Sequence, residues 1–155
     1  MISKKDLVII THLRKNCRET LTDMAKKSRI PISTIYEKIK RNEDRLIRKH
    51  TCLVDFTKLG FNTRAKIAIQ ANISHKKDLT DFLLKHQNIN SIFKINNGYD
   101  YLIEGVFKNM VDLENFLETL QTKFKIKKQE TYFIIDDIKR EAFMSDPSTL
   151  DLVLT

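Results

Sequence analysis

Glycine, cysteine and proline are scarce in this chain of 155 residues, which contains three glycines, two cysteines and two prolines. The sequence contains neither a P-loop nor a GxGxxG dinucleotide-binding motif, both of which depend on glycine. No apolar run is long enough to cross a membrane as a helix. The first ten residues, MISKKDLVII, lack the features of a secretory signal peptide. These absences argue against the common nucleotide-binding motifs, and they predict a cytoplasmic protein.

The side chains that commonly bind metals or form disulfides are dispersed. Cys17 and Cys52 are far apart in the sequence and form no CxxC pair, which argues against a disulfide scaffold and against a zinc site. The four histidines show no metal-ligand spacing, and Asp136-Asp137 is more typical of a solvated turn than of a metal site. We therefore expect no metal, no cofactor and no enzymatic activity.

Positive charge is concentrated in the first third of the sequence. Residues 1–50 contain 14 basic and 6 acidic residues, whereas residues 51–155 contain 14 of each, so the whole net charge of +8 lies in the first segment. A generally lysine-rich composition would spread this excess along the chain. The asymmetry indicates an anionic partner for the first third, and double-stranded DNA is the partner that we predict.

Helical periodicity and capping residues predict three helices within residues 3–47. The first begins at Ser3, with Asp6 completing a capping-box arrangement, and the second begins at Thr20 with an acid three positions later. Pro31 interrupts the pattern, and a third helix begins at Pro31 or at the next residue. Two short helices joined by a tight turn after a first helix are typical of a helix-turn-helix, whose last helix reads DNA.

The third helix carries an apolar row and a polar row. The apolar row, which we expect to pack on the first two helices, is Ile35, Ile39 and Leu46. The candidate base-edge contacts are Ile32, Ser33, Thr34 and Glu37. The candidate phosphate or groove contacts are Lys38, Arg41 and Arg45, with Arg48 and Lys49 on the flanking backbone. The alternative is a structural helix bundle with a solvated cationic face.

The remaining residues predict an α+β domain. A first strand is predicted at residues 47–56. A βαββαβ arrangement follows, with strands at 65–73, 91–95, 99–107 and 130–138 and helices at 76–86 and 110–124. Alternating apolar residues in 65–73 predict a strand with one buried face, and apolar residues at helical spacing in 110–124 predict a buried stripe. Asn97-Gly98 predicts a tight hairpin turn. In this ferredoxin-like order both helices cover one face of the sheet, so Leu102 and Val106 on the other face predict a homodimer.

At residues 4–141 the chain resembles the Lrp/AsnC (feast/famine) transcriptional regulators. The resemblance rests on the order and spacing of MAKKSRIPISTIYEKIKRNE, LVDFTKLG, NNGYDYL and ETYFIIDDIK. It implies a winged-helix-like helix-turn-helix DNA-binding domain, a β-linker, and a ferredoxin-like dimerisation and effector domain. The corresponding segments are residues 1–50, 51–64 and 65–141, followed by a C-terminal tail at 142–155. The family also implies higher oligomers and small amino acids as effectors.

The resemblance assigns an effector site and shows three departures. The implied effector residues are Asn96, Asn97, Gly98, Tyr99, Asp100 and Thr131. Arg29 stands where the family usually has a glycine in the turn before the reading helix, and Asn42 replaces an apolar residue. The effector turn is Asn97-Gly98 rather than glycine followed by a polar residue, and this shift favours a weak or absent response to amino acids.

Two alternative functions are compatible with the same two-domain organisation. Sirohaem decarboxylases share it, but residues 95–107 of this chain contain no histidine or arginine to engage the carboxylates of a tetrapyrrole. The other alternative is an effector-sensing partner that assembles with another regulator and does not itself read DNA. The cationic third helix favours a sequence-specific DNA-binding regulator over both.

Overall fold

The structure, a computed structural model, describes residues 2–153 and divides into two compact units. The helical unit consists of residues 2–53 together with residues 138–153, and the sheet unit consists of residues 54–137. Within the described residues, no helix has both the length and the apolar character needed to cross a membrane.

The helical unit contains the three expected helices: α1 (Lys4–Lys15), α2 (Leu21–Ser28) and α3 (Ile32–Glu43). The Ser3 side chain accepts from the backbone N–H of Asp6, while the Asp6 carboxylate accepts from the N–H of Ser3, which confirms the predicted capping box. Thr20 caps α2 in the same way through the N–H of Asp23. The predicted start of the third helix is also confirmed.

The core of the helical unit is small and is formed by Ile9, Met24, Ile30 and Ile35. Ile39 packs against it, as predicted. The prediction for Leu46 is wrong, because α3 ends at Glu43 and the Leu46 side chain is 39% exposed. After Glu43 the chain is held in a turn by the N–H groups of the next residues, which donate to the carbonyl of Asn42. These donors are Arg45, Leu46 and Ile47.

The C-terminal segment packs within the helical unit, a position that the sequence did not indicate. A 3₁₀ turn (Pro147–Thr149) leads into the short helix α6 (Leu150–Val153), and Leu150 is buried. Arg14 of α1 donates to the backbone carbonyls of Phe143 and Glu141. Residues 138–153 therefore form a fourth layer on α1.

The sheet unit confirms the βαββαβ order and the ferredoxin-like fold. Its elements are β1 (Thr63–Gln70), α4 (Lys76–Lys85), β2 (Ile89–Lys94), β3 (Tyr101–Phe107), α5 (Met110–Phe124) and β4 (Lys128–Phe133). The strand order is β2-β3-β1-β4, and each neighbouring pair is antiparallel. The central pair is aligned with Ile67 opposite Ile103. The last strand ends five residues earlier than the sequence predicts.

A large apolar core fills the space between the sheet and α4 and α5. The predicted stripe of α5 is entirely buried: Leu113, Phe116, Leu117, Leu120 and Phe124. The alternating residues of β1 are buried as predicted up to Ala71, but Ile73 is 83% exposed. The prediction fails there because the chain leaves the sheet and enters a 3₁₀ turn (Ile73–His75).

The strand predicted at residues 47–56 is absent from the described chain. Those residues lack regular structure up to Asp55, and a 3₁₀ helix (Phe56–Leu59) follows. An apolar, extended sequence becomes a strand only when another backbone pairs with its N–H and C=O groups. The sheet of this chain supplies no such neighbour, and Leu53 is 56% exposed.

Candidate nucleic-acid interface

The outward face of α3 exposes both apolar and polar side chains, beginning in the first turn of the helix. Ile32 is 46% exposed and Tyr36 is 57% exposed. Ser33, Glu37 and Lys40 are also exposed, and they follow a helical spacing from the first turn to the third. Tyr36 was not among the predicted contact residues, although its position four residues after Ile32 places the two on one face.

The opposite side of α3 is attached to α1 through one buried carboxylate. Asp6 is 1% exposed, and its Oδ1 lies 2.9 Å from Nζ of Lys38, 3.0 Å from Nη2 of Arg41 and 3.2 Å from Nδ2 of Asn42. Its Oδ2 accepts from the backbone N–H of Ser3 at 2.7 Å. One residue therefore caps α1 and holds three positions of α3, so we call it the Asp6 anchor.

Burial alone would raise the pKa of Asp6. The hydrogen bonds from Ser3, Lys38 and Asn42 outweigh that effect and hold the pKa well below its usual range. Asp6 is therefore ionised, and Lys38, whose side chain is only 15% exposed, uses its charge to fix α3. Arg41 shares the same oxygen but is half exposed, so part of its guanidinium remains available on the surface.

The Asp6 anchor also explains the unusual residue at position 42. Asn42 is 2% exposed and donates from its side-chain amide to Asp6, while its carbonyl ends α3. An apolar side chain would leave the carboxylate with one fewer donor. The departure from the family pattern therefore belongs to a local polar arrangement of this chain.

A second buried polar group connects α1 with α2. Glu19 accepts from His12 Nδ1 at 2.9 Å and from Lys27 Nζ, and the side chains of His12 and Glu19 are each 7% exposed. Burial alone would raise the pKa of Glu19. The hydrogen bonds from Lys27 and His12 outweigh burial, so the pKa lies below its usual value. The turn between these helices is therefore fixed by charge as well as by apolar contact.

The predicted DNA contacts separate into three groups in the structure. Ile32, Ser33 and Glu37 are exposed on α3, while Thr34 is only half-buried. Lys38 faces the Asp6 anchor. The cations Arg45, Arg48 and Lys49 are exposed, but all three lie beyond the end of α3, so the prediction that Arg45 continues the helical row is wrong.

The turn before α3 has the left-handed backbone that favours glycine. Arg29 ends α2 with φ 58° and ψ 28°, and its N–H donates to the carbonyl of Ala25. A side chain in this conformation costs about 1 kcal/mol. The turn thus keeps its geometry without the glycine, at the expense of stability.

In the sheet unit, five of the six predicted effector residues, 96–100, lie between β2 and β3, and Thr131 lies on β4. Asn97 and Gly98 both have positive φ, at 61° and 84°, as the hairpin prediction requires. Asp100 is already engaged, because its carboxylate accepts from the N–H of Ala71 at 2.8 Å and from Nζ of Lys76 at 2.5 Å. The hydrogen bond from Lys76, opposed by partial burial, lowers the pKa of Asp100.

The sheet register separates Thr131 from the turn that contains Asp100. Thr131 pairs with Ile67, and Ile67 pairs with Ile103 on its other side, so β1 separates Thr131 from β3. The hydroxyl of Tyr99 is buried, and Nζ of Lys128 lies 4.8 Å from the centre of the Tyr99 ring. Asn96 contributes its carbonyl to the turn, where it accepts from the N–H of Tyr99.

Strand β4 carries a polar cluster on the sheet face that the helices do not cover. Tyr132 donates to Glu130 at 2.5 Å, and Lys128 lies 3.1 Å from the same carboxylate. The hydrogen bond from Tyr132, together with the nearby Tyr99 and the Lys128 ammonium, lowers the pKa of Glu130 to about 2. The uncovered sheet face is therefore charged and polar at β4.

The centre of the same sheet face differs from the prediction of an open apolar surface. Val106 is only 8% exposed and pairs with Arg64 across the ladder. Arg64 reaches Asp137 with two hydrogen bonds of 2.7 Å, and its Nε lies 3.3 Å from the buried Glu104. Leu102 is half-buried. An ion-pair network therefore occupies part of the face that the sequence suggested was apolar.

Comparison with known proteins identifies both units. The Lrp/AsnC ligand-binding domain family matches residues 65–143. HTH-type transcriptional regulator FL11 of Pyrococcus furiosus is 32% identical over 114 residues, covering 73% of this chain and 76% of the relative. An uncharacterised HTH-type transcriptional regulator of Pyrococcus abyssi is 24% identical over 148 residues, covering 95% of this chain and all of the relative.

Solved structures show the same fold over nine-tenths of the chain. A Neisseria meningitidis transcriptional regulator in complex with L-Met gives a TM-score of 0.83 at 21% identity, covering 90% of this chain and 94% of that one. Bacillus subtilis LrpC gives 0.80 at 18% identity, covering 90% and 98%. Together with the domain match and the helix-turn-helix described above, these findings show that the chain belongs to the Lrp/AsnC family of transcriptional regulators.

Proposed function

We propose that this DNA-binding transcriptional regulator acts as a homodimer that places α3 of each subunit in the major groove of duplex DNA. The observation that carries the proposal is the confinement of the entire +8 net charge to residues 1–50, which include all three helices of the helix-turn-helix. Neutralising phosphates with these cations releases counterions, which gives both affinity and salt dependence. We also propose a cytoplasmic location and a function without catalysis.

The exposures on α3 support a division of roles among its residues. We assign the base edges to Ile32, Ser33, Tyr36 and Glu37, which are exposed near the helix N-terminus. We assign the phosphates to the later cations, namely Lys40, Arg41, Arg45, Arg48 and Lys49. Lys38 becomes a positioning residue, because its ammonium is bound to the Asp6 anchor.

Selection of bound sequences from random duplex DNA tests the proposal directly. We expect a motif with two symmetric half-sites, since a two-fold dimer presents two equivalent helices. Affinity for that motif should fall steeply between roughly 50 and 200 mM salt. If the selection yields no shared sequence and binding does not depend on salt, the proposal is contradicted. That result would favour the alternative function, an effector-sensing partner of another regulator that does not itself read DNA.

Two lysines of α3 provide a matched pair for the assignment of contacts. Lys40→Ala removes an exposed cation, so it should weaken binding to all sequences and reduce the salt slope by about one. Lys38→Met keeps the aliphatic stem and removes only the ammonium bound to Asp6, so the salt slope should stay at the wild-type value. Equal reductions of slope in both variants would show that Lys38 also meets phosphate.

We propose that the sheet unit forms the dimer and that amino acids bind weakly or not at all. The Neisseria relative was solved with L-Met. In this chain, the turn that the family resemblance assigns to an effector includes Asn97 and Gly98. However, Asp100, the carboxylate expected to receive a ligand ammonium, already accepts from Lys76 and Ala71. A ligand would have to replace a charged hydrogen bond that forms within the chain.

Calorimetry with millimolar amino acids, L-Met included, tests this expectation. We expect no binding heat for the wild-type protein. Lys76→Met would remove the charged donor from the Asp100 carboxylate, which keeps the N–H of Ala71, and should make a binding heat more readily detectable. A clear heat in the wild type that disappears in Asp100→Ala would establish an effector site and overturn the expectation, without affecting the DNA-binding proposal.

A further inference from the structure

The two cysteines, far apart in the sequence, approach each other in the helical unit. The thiol of Cys17 donates to the backbone carbonyl of Thr51, with Sγ 3.7 Å from the oxygen. The same peptide bond contains the nitrogen of Cys52. Standard peptide dimensions therefore place Sγ of Cys17 within about 6.5 Å of the Cα of Cys52.

Both thiols are free and accessible to small reagents. Cys17 and Cys52 are exposed, and neither is in a disulfide. Cys17 lies in the turn after α1, and Cys52 lies in the stretch that has neither helix nor strand pairing. Because no ladder of hydrogen bonds fixes residues 51–53, this stretch can adjust towards the Cα–Cα separation that a disulfide requires.

We propose that Cys17 and Cys52 form a dithiol that a low-molecular-weight disulfide oxidises to an intramolecular disulfide bond. The thiolate of one cysteine attacks a sulfur of the small disulfide, forming a mixed disulfide and releasing one small thiol. The second cysteine then attacks the protein-bound sulfur and releases the second small thiol. The protein loses two hydrogen atoms, and the small disulfide is reduced to two thiols.

The bond would enclose the whole of α2 and α3 in one covalent loop. Closing a loop of this length restricts the unfolded chain much more than the folded one, so the oxidised helical unit should be more stable. The bond would also fix the residues that lead into the sheet unit at Val54. Formation of this disulfide depends only on the two thiols and not on DNA binding.

The test is the equilibrium of the full-length protein with reduced and oxidised glutathione. Oxidation should lower the intact mass by about 2 Da, and peptide mapping should identify the Cys17–Cys52 link. The equilibrium constant for forming this bond should be at least about tenfold larger in the folded protein than in denaturant. The reason is that the free energy by which a disulfide stabilises the fold equals the free energy by which the fold favours the disulfide. The melting midpoint of the oxidised protein should be about 5 °C higher and should return to the original value on reduction.

Single variants separate this reaction from unspecific oxidation. Cys17→Ser and Cys52→Ser should each retain a glutathione adduct on the remaining cysteine and show no change in melting on removal of that adduct. The proposal would be overturned if the equilibrium constant for disulfide formation were no larger in the folded protein than in denaturant. Oxidation that stops at two separate adducts, or that links two chains, would overturn it as well.

Discussion

The two units of this regulator achieve a defined structure by different means. The sheet unit buries fourteen apolar residues in one cluster between a sheet and two helices. The helical unit has a cluster of four and relies in addition on two buried carboxylates, Asp6 and Glu19, which gather cations from neighbouring helices. A strongly basic unit thus uses part of its positive charge for its own structure, and the number of cations overstates the charge offered to DNA.

The largest expected effect comes from removing the charge at the centre of the helical unit. Asp6→Ala removes the carboxylate that accepts from the Lys38 ammonium and from the buried Asn42 amide, and it should destabilise the helical unit by about 3–5 kcal/mol. Denaturant unfolding, monitored separately for each unit, measures this loss of stability. A loss below about 1 kcal/mol would show that the Asp6 anchor is dispensable.

Acid should reduce the loss of stability that Asp6→Ala causes. Because the folded state lowers the pKa of Asp6 below its usual value of 3.8, its contribution is complete above that pH and decreases as the pH falls. The stability difference between wild type and Asp6→Ala should therefore shrink from pH 7 towards pH 2. A difference that is constant over this range would assign the effect to packing rather than to charge.

In the sheet unit, a cavity should produce the next effect. Leu120 is fully buried on α5, and Leu120→Ala should cost about 3 kcal/mol through lost apolar contact and an unfilled volume. In contrast to Asp6→Ala, this cost should hardly change between pH 7 and pH 3. A pH-dependent cost would mean that the two units do not differ in the way described here.

A smaller effect is expected where the C-terminal segment meets α1. Leu150 is 3% exposed, and Leu150→Ala should destabilise the helical unit by about 2 kcal/mol, since the short helix α6 can relax around the gap. The exposed neighbour Leu152→Ala is the control and should be close to neutral. Hydrogen exchange of the α1 amides should be faster in Leu150→Ala than in Leu152→Ala.

The smallest effect is a gain. Arg29→Gly removes a side chain from a left-handed backbone and should stabilise the helical unit by about 0.5–1 kcal/mol, because the relief of strain exceeds the added freedom of the unfolded chain. Lys125→Gly, at the equivalent left-handed end of α5, is a matched change in the sheet unit. Arg29→Gly should raise the urea midpoint of the helical unit, and Lys125→Gly should raise that of the sheet unit.

Local patterns in the sequence predicted most of the fold. Capping at Ser3 and Thr20, the stripe of α5 and the turn at Asn97-Gly98 depend on neighbouring residues, and all of them are confirmed. The failures occurred where distant residues decide. Among the described residues no strand pairs with 47–56, and Leu46 lies in a turn whose N–H groups donate to the carbonyl of Asn42.

The candidate site was less predictable than the fold, for the same reason. Periodicity identified a cationic row on α3, but it could not show that Lys38 faces a carboxylate thirty-two residues earlier. It also gave no indication that Asp100 is bound by Lys76. Tyr36 could have been identified from its spacing relative to Ile32 and Lys40, since all three share the outward face.

The position of the C-terminal segment has a consequence for biosynthesis. Since residues 138–153 belong to the same unit as residues 2–53, the sheet unit is a sequence insertion inside the helical unit. A ribosome adding roughly 5–20 residues per second would take about 4–17 seconds to synthesise the insertion. Until residues 138–153 have been synthesised, α1 lacks its contacts with them, so the helical unit completes its structure only after the sheet unit has been translated.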